Sequence, residues 1–250
     1  AIEEERIESE LKTAKSIQES LAPPIDYVHG RLEVAARSLS AREVGGAFHY
    51  FRQYEEGVYH ITLGNLNTKG IPGAMRASSL AGLFKSVVEL DVRDPEKIIS
   101  MVNSYCSEEI GCNEGLSLFT GLFNINDMTV QFVNSGDACP ILIRDGVAAY
   151  LRFIHKSSGY PGCGDFSAGK VSLNLKDEDK FIIFSGSLPR LKNNDARELG
   201  LSGIIRYIEK SNLKRGELID SLLDFAYNYT GGLERRKDLS VVSLMINGKG

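Results

Sequence analysis

The chain has 250 residues, 42% of them hydrophobic and 25% charged, with 7 prolines spread thinly. That is enough for one large domain or two small ones with a sizeable core, and it excludes collagen-like, low-complexity and disordered classes. A net charge of −4 and a pI near 5.7 argue against a nucleic-acid binder, and no apolar run exceeds Val147 to Leu151, which excludes a membrane-spanning helix or a signal-peptide core. Cys106, Cys112, Cys139 and Cys163 form neither a CxxC pair nor a cysteine–histidine cluster, so reduced thiols in a cytoplasmic protein are expected and a zinc site is not. A first residue of Ala carries the expectation that the chain is excised from a longer protein.

In residues 1–21, Ile7, Leu11, Ala14, Ile17 and Leu21 recur at spacings of 3 and 4, one apolar stripe on a charged helix that Pro23-Pro24 stops. So narrow a stripe suits a partner helix better than a core; pairing with a second copy in a homodimer is expected, against the plainer reading of a helix lying on its own domain. The chain therefore divides into a linker helix, 1–24, and a domain, 25–250.

Strands follow at Leu32–Leu39, Ala47–Tyr54 and Val58–Leu66, with Gly57 marking a hairpin. Two helices come next, Gly73–Leu90, entered through Pro72, and Pro95–Ile110, capped by Asp94. Strands return at Leu116–Ile125, Thr129–Asn134, Pro140–Arg144, Ala148–Phe153, Lys170–Leu175 and Lys180–Ser185. Helices at Ser202–Lys210 and Arg215–Tyr229 precede a last strand, Leu239–Ile246. Tight turns between neighbouring strands and helices in pairs predict an α+β domain with antiparallel sheets.

No nucleophile–base pattern stands out: His29, His49, His60 and His155 have no recognisable partners, and Gly64 to Gly70 lacks the order of a phosphate-binding loop. Glycines do gather at strand ends, in Val44-Gly45-Gly46, Gly64-Asn65 and Phe184-Ser185-Gly186-Ser187, and with Lys237-Asp238 these could line one cleft as well as make plain turns.

Those same segments carry a resemblance. From Glu10 to Ile246 the sequence is similar to the SpoIIE/RsbU branch of the metal-dependent (PPM-type) serine/threonine protein phosphatases. Ala14 to Pro23 resembles the family's linker, Val44-Gly45-Gly46-Ala47-Phe48-His49-Tyr50-Phe51 its VGGDFYDF segment, and Gly64-Asn65-Leu66-Asn67-Thr68-Lys69-Gly70-Ile71-Pro72 its GDVSGKGVP. Phe132 to Pro140 follows YVNAGHxPP, Phe184 to Leu188 sits where YTDGV belongs, and Lys237-Asp238-Leu239-Ser240 where DDxT belongs. The resemblance implies an αββα sandwich, two stacked antiparallel sheets flanked by helices. It also implies aspartates holding two Mg²⁺ or Mn²⁺ ions that activate a water against phosphoserine or phosphothreonine.

The departures fall on those aspartates. Ala47, Asn65, Gly186 and Lys237 stand at former metal-site positions, Tyr50 replaces a further Asp, and Asp238 survives at the second place of its pair, not the one expected to bind metal. A lysine ammonium ~4 Å from a divalent ion, at an effective dielectric of ~20, is repelled by about 8 kcal/mol. The expectation is a catalytically degenerate domain with no catalytic residue and no cofactor. It would act by binding a protein, such as an anti-sigma-factor antagonist or similar small regulator, with Lys69 and Lys237 as possible phosphate contacts and an upstream sensor feeding the linker. The alternative is an active Mn- or Mg-dependent phosphatase whose ligands have moved to acids such as Asp137, Asp165, Asp238 and Glu234.

Overall fold

The computed structural model describes residues 2–41, 43–68, 70–111, 115–151, 159–211, 215–232 and 237–248. The chain runs α1 (Ile2–Leu21), β1 (Ile25–His29), β2 (Leu32–Leu39), β3 (Ala47–Glu55), β4 (Val58–Leu66), α2 (Gly70–Glu89), α3 (Pro95–Tyr105), β5 (Leu116–Asn124) and β6 (Thr129–Ser135). It continues with β7 (Cys139–Arg144), β8 (Val147–Tyr150), β9 (Val171–Asn174), β10 (Lys180–Phe184), α4 (Leu201–Lys210), α5 (Arg215–Tyr229) and β11 (Leu239–Ile246). Helix α3 relaxes into one wide turn over Cys106–Ile110.

Two antiparallel sheets stack face to face, in the orders β1-β2-β11-β10-β7-β8 and β3-β4-β5-β6-β9. Period-two alternation sorts each strand between two cores. In β2, Leu32, Val34 and Ala36 face the space between the sheets while Ala35 faces outward; in β11, Val242, Leu244 and Ile246 face inward and Val241 outward. The inner core is dominated by Phe119, Phe123, Phe132, Phe181 and Tyr59. The outer face of the first sheet is sealed by α4 and α5 through Ile204, Ile208, Ile219 and Leu222, and that of the second by α2 and α3 through Leu80, Phe84, Ile98 and Val102. The expected four-layer α+β sandwich is therefore what forms.

Two features differ from the sequence reading. Strand β1 had no predicted counterpart: it is a five-residue edge strand, exposed or half-exposed along its whole length, so it carries almost no burial signal. Cys106 and Cys139 are free thiols, as expected, but Cys163 is disulfide-bonded, against the expectation of four reduced thiols. The loop carrying it folds back onto the end of α3, where the Gly162 amide donates to Asn103 Oδ1 at 2.8 Å, a return no local spacing announces.

Helix α1 packs along α2 at the edge of the sandwich. The turn leaving it is fastened by His49, which is 2% exposed; its Nε2 donates to the Pro23 carbonyl at 2.7 Å, leaving Nδ1 to accept from Ser38 Oγ at 2.8 Å. Burial, the largest cause, pushes the His49 imidazole down to about 4. His60, fully buried between the second sheet and its helices, shares Nε2 with Thr62 and Thr120 and is pushed down to about 3 by burial. Both rings are neutral in the fold and take up a proton on unfolding, so their stabilisation is complete above the ordinary imidazole value near 6.5 and is lost as pH falls through it toward 4. By pH 5 each should have withdrawn about 2 kcal/mol. Urea midpoints should accordingly fall between pH 7 and pH 5, and in His49→Gln the fall should be about half as large; a flat profile would contradict the assignment.

Candidate functional site

The glycine-bearing strand ends do converge on one cleft at the edge of the sandwich. β3 pairs with β4 so that Ala47 faces Asn65, and the Leu66 amide donates to the Gly46 carbonyl at 3.0 Å. Asn65 Nδ2 donates to Ser187 Oγ at 3.2 Å, bringing the end of β10 against the end of β4. Ser185 and Ser240 exchange bonds: the Ser185 amide reaches the Ser240 carbonyl at 3.0 Å, and the Ser240 amide reaches Ser185 Oγ at 3.2 Å. Asn65, paired with Ala47, thus lies within one hydrogen bond of Ser187, next to Gly186, and Lys237 directly precedes Asp238 in the chain.

The acid that survives there has a structural task. Asp238 is 5% exposed, with Oδ1 accepting from the Ala41 amide at 2.7 Å and Oδ2 from the Gly46 amide at 2.6 Å. Hydrogen bonds from backbone amides are what permit a carboxylate to stay buried and charged. Position 45 must be glycine, because a Cβ there would fall inside the Asp238 carboxylate. On the far side of the same turn, Gln18 of α1 donates Nε2 to the Gly45 carbonyl and accepts the Gly45 amide at 3.1 Å. The linker helix, the β2–β3 turn and the start of β11 are joined by one chain of polar contacts.

Asp137, where the resemblance places a histidine, behaves differently. Its carboxylate occupies the space next to Gly186, so that any Cβ at 186 would overlap it. It accepts from Ser117 Oγ and pairs with Arg190, whose Nη2 lies 2.6 Å from Oδ2. The Tyr160 phenol, pushed up chiefly by burial and next by the Asp137 carboxylate, closes that side of the cleft. Neither this ion pair nor Arg190 was signalled by any motif. The only cue was a glycine at 186, where the resemblance places an acid, together with an aspartate at 137, where it places a histidine.

A pair of hard divalent ions needs several anionic oxygens. Ala47 and Gly186 bring none, Asn65 brings an amide, Asp238 has committed both oxygens to amides, and Asp137 is already neutralised by Arg190. Among the described residues no three His, Cys, Asp or Glu side chains are grouped to hold a metal. The residues present do not fit that group. Of the other candidates, Asp165 is exposed on the 159–168 loop, and Glu234 and Lys69 lie outside the described residues. Tyr50 points to the opposite face of β3, toward Arg52 and the end of α2, and does not fill the cleft. Two amides near these strand ends are enclosed: Asn65 and Asn134, each 5% exposed, donate Nδ2 to Ser187 Oγ and to the Ala138 carbonyl, and their Oδ1 atoms meet no donor among the described residues.

The family model described as Stage II sporulation protein E (SpoIIE) matches residues 55–247. Phosphoserine phosphatase RsbU of Bacillus subtilis strain 168 is 20% identical over 192 residues, 77% of this chain and 57% of that protein. Among solved structures, the SiaA-PP2C domain of Pseudomonas aeruginosa superposes with a TM-score of 0.80 at 15% identity, covering 98% of both chains. The PP2C phosphatase domain of SpoIIE from Bacillus subtilis, with a fragment of its regulatory domain, gives 0.75 at 17% identity over 88% of this chain and 64% of that one.

If Asp238 clamps the turn, Asp238→Asn, which turns one acceptor into a donor facing an amide, should cost about 2 kcal/mol. Gly45→Ala should act through the same contact. Denaturant titration of both single variants and the double should then show the double little worse than the worse single, and full additivity would dissociate Gly45 from Asp238.

Proposed function

Because this chain belongs to the SpoIIE family, we propose that it is a catalytically degenerate PPM-type phosphatase domain that works by binding a regulatory protein in a partner-switching type of signalling pathway. The observation that carries this reading is the Asp137–Arg190 pair beside Gly186. Where two doubly charged ions would need bare carboxylates, this cleft presents a carboxylate already matched by a guanidinium. Without the ions there is no activated water and no clamp on a phosphoryl group. The framework around the lost ligands is nonetheless kept rigid by Asp238, Gln18 and the Ser185–Ser240 exchange, as recognition requires. The relative RsbU, named a phosphoserine phosphatase, suggests the partner class: a small phosphorylatable regulator such as an anti-sigma-factor antagonist. Lys237 and Lys69 are the cations offered to its phosphate.

One observation favours a second reading, an active enzyme with rearranged ligands: the Asp137 carboxylate lies in the volume next to position 186 from which an acid has been lost. It stands second because one carboxylate cannot hold two cations and Arg190 competes for it. The two readings separate on a phosphoserine peptide with Mn²⁺ and metal-scrubbed protein. The first expects no phosphate release above background, no effect of EDTA and no saturable Mn²⁺ binding by calorimetry. Chelator-sensitive turnover would establish the second.

The linker helix enters the same proposal as a dimerisation element. In the single chain Ile7 is 48% exposed, Ile17 58% and Leu21 39%, with Leu11 half-buried and Ala14 exposed along the same stripe. A second copy of α1 would cover that stripe. Ile7→Glu combined with Ile17→Glu should convert a dimer to a monomer in sedimentation while leaving the far-ultraviolet signature of the domain in place. A dimer that survives the pair would remove α1 as the assembly element.

A further inference from the structure

A cavity of about 550 Å³ opens on the other side of the first sheet, between α5 and the 190–198 loop. Its size falls in the range of small-molecule sites, roughly 300–1,000 Å³. Leu39 of β2, Leu239 of β11, Leu191 and Leu223 give it an apolar floor. Arg190, Lys192 and Lys237 line it with one anion, Glu198, and Arg190 is also matched by Asp137 from the cleft side. Cationic side chains therefore outnumber anionic ones along its wall.

The wall is built rather than loose. Asn193 Oδ1 accepts from the Asp195 and Arg197 amides at 3.0 and 2.9 Å, and the Leu199 amide donates to the Leu191 carbonyl at 2.8 Å. Tyr229 Oη of α5 donates to the Arg197 and Glu198 carbonyls at 3.1 and 3.0 Å, tying the loop to the helix across the cavity. A site held open in this way gives up little order when it is filled.

We propose that this cavity binds a small amphipathic anion, its apolar body on the leucine floor and its carboxylate, sulfonate or phosphate group among Arg190, Lys192 and Lys237. This goes beyond the partner-binding reading, and it ties the cavity to the cleft through one residue. Arg190 is also the counter-ion of Asp137, so a ligand that draws on Arg190 competes with the pair beside Gly186. Coupling of this kind is reciprocal: whatever weakens the Asp137–Arg190 pair must strengthen the ligand.

The test uses the intact chain and two probes of nearly equal shape, 2-naphthoate and the neutral 2-naphthamide, titrated by calorimetry and by ligand-observed NMR. The naphthoate should bind at least about tenfold more tightly than the amide, as expected for one charge-assisted contact. Lys192→Gln, at an exposed position, should weaken the naphthoate several-fold and leave the amide unchanged. Thr230→Phe, which fills the mouth, should abolish both. Asp137→Asn, which releases Arg190, should tighten the naphthoate about threefold or more, an outcome no general loss of structure would give. Each variant is first shown to unfold cooperatively, and Lys192→Gln serves alone if Thr230→Phe does not. Equal binding of the two probes, binding insensitive to Lys192→Gln, or no saturation by low-millimolar naphthoate would overturn the proposal.

Discussion

The structure turns on one buried carboxylate. Asp238 closes its two oxygens on the amides of Ala41 and Gly46, and the β2–β3 turn can approach it only because residue 45 has no side chain. A buried carboxylate is costly unless it is hydrogen-bonded, and here a backbone amide donates to each of its oxygens. The turn held by Asp238 positions Ala47 opposite Asn65, and Asn65 in turn meets Ser187. Gln18 grips the same turn from the opposite side, so the orientation of α1 and the shape of the cleft rest on adjacent peptide groups. His49 adds a second tie, from β3 to the Pro23 carbonyl just after the helix.

The same logic governs charge elsewhere in the molecule. At the far end of the first sheet Asp179, 1% exposed, is met by Arg144 through Nε at 2.8 Å and Nη2 at 2.7 Å, and by the Lys176 amide at 2.7 Å. At the cleft, Asp137 is met by Arg190 and Ser117. Asp238, Asp179 and Asp137 therefore each have partners within the chain.

Much of this was legible in the sequence. The long buried strands β4 and β11 announce themselves by β-rich apolar runs, and α3 by Asp94 accepting the Glu96 amide at 3.1 Å ahead of Pro95 at the first helical position. Strand β1 was not legible, because an edge strand after two prolines has only Ile25 and Tyr27 to show for its pairing. The stretch from Ala148 was read as strand to Phe153, and β8 occupies Val147–Tyr150, with the remainder outside the described residues. Within the cleft, the nearness of Asn65 to the 185–187 segment followed from the order of the glycine-bearing strand ends. That of Arg190 to Asp137 did not, since Arg190 belongs to no motif and reaches Asp137 only through the fold. The 190–198 loop is likewise set by backbone carbonyls and asparagine turns whose meaning appears only once α5 lies beside it.

Burial sets the terms for the two asparagine amides near the strand ends. Asn65 and Asn134 spend their Nδ2 groups on Ser187 Oγ and on the Ala138 carbonyl, while each Oδ1 is enclosed and meets no donor among the described residues. An enclosed acceptor without a donor costs about 1–3 kcal/mol, more than one ordinary hydrogen bond returns. The Nδ2 contacts therefore matter for where they tie the chain, Asn65 joining the end of β4 to the end of β10 and Asn134 holding the turn that presents Asp137.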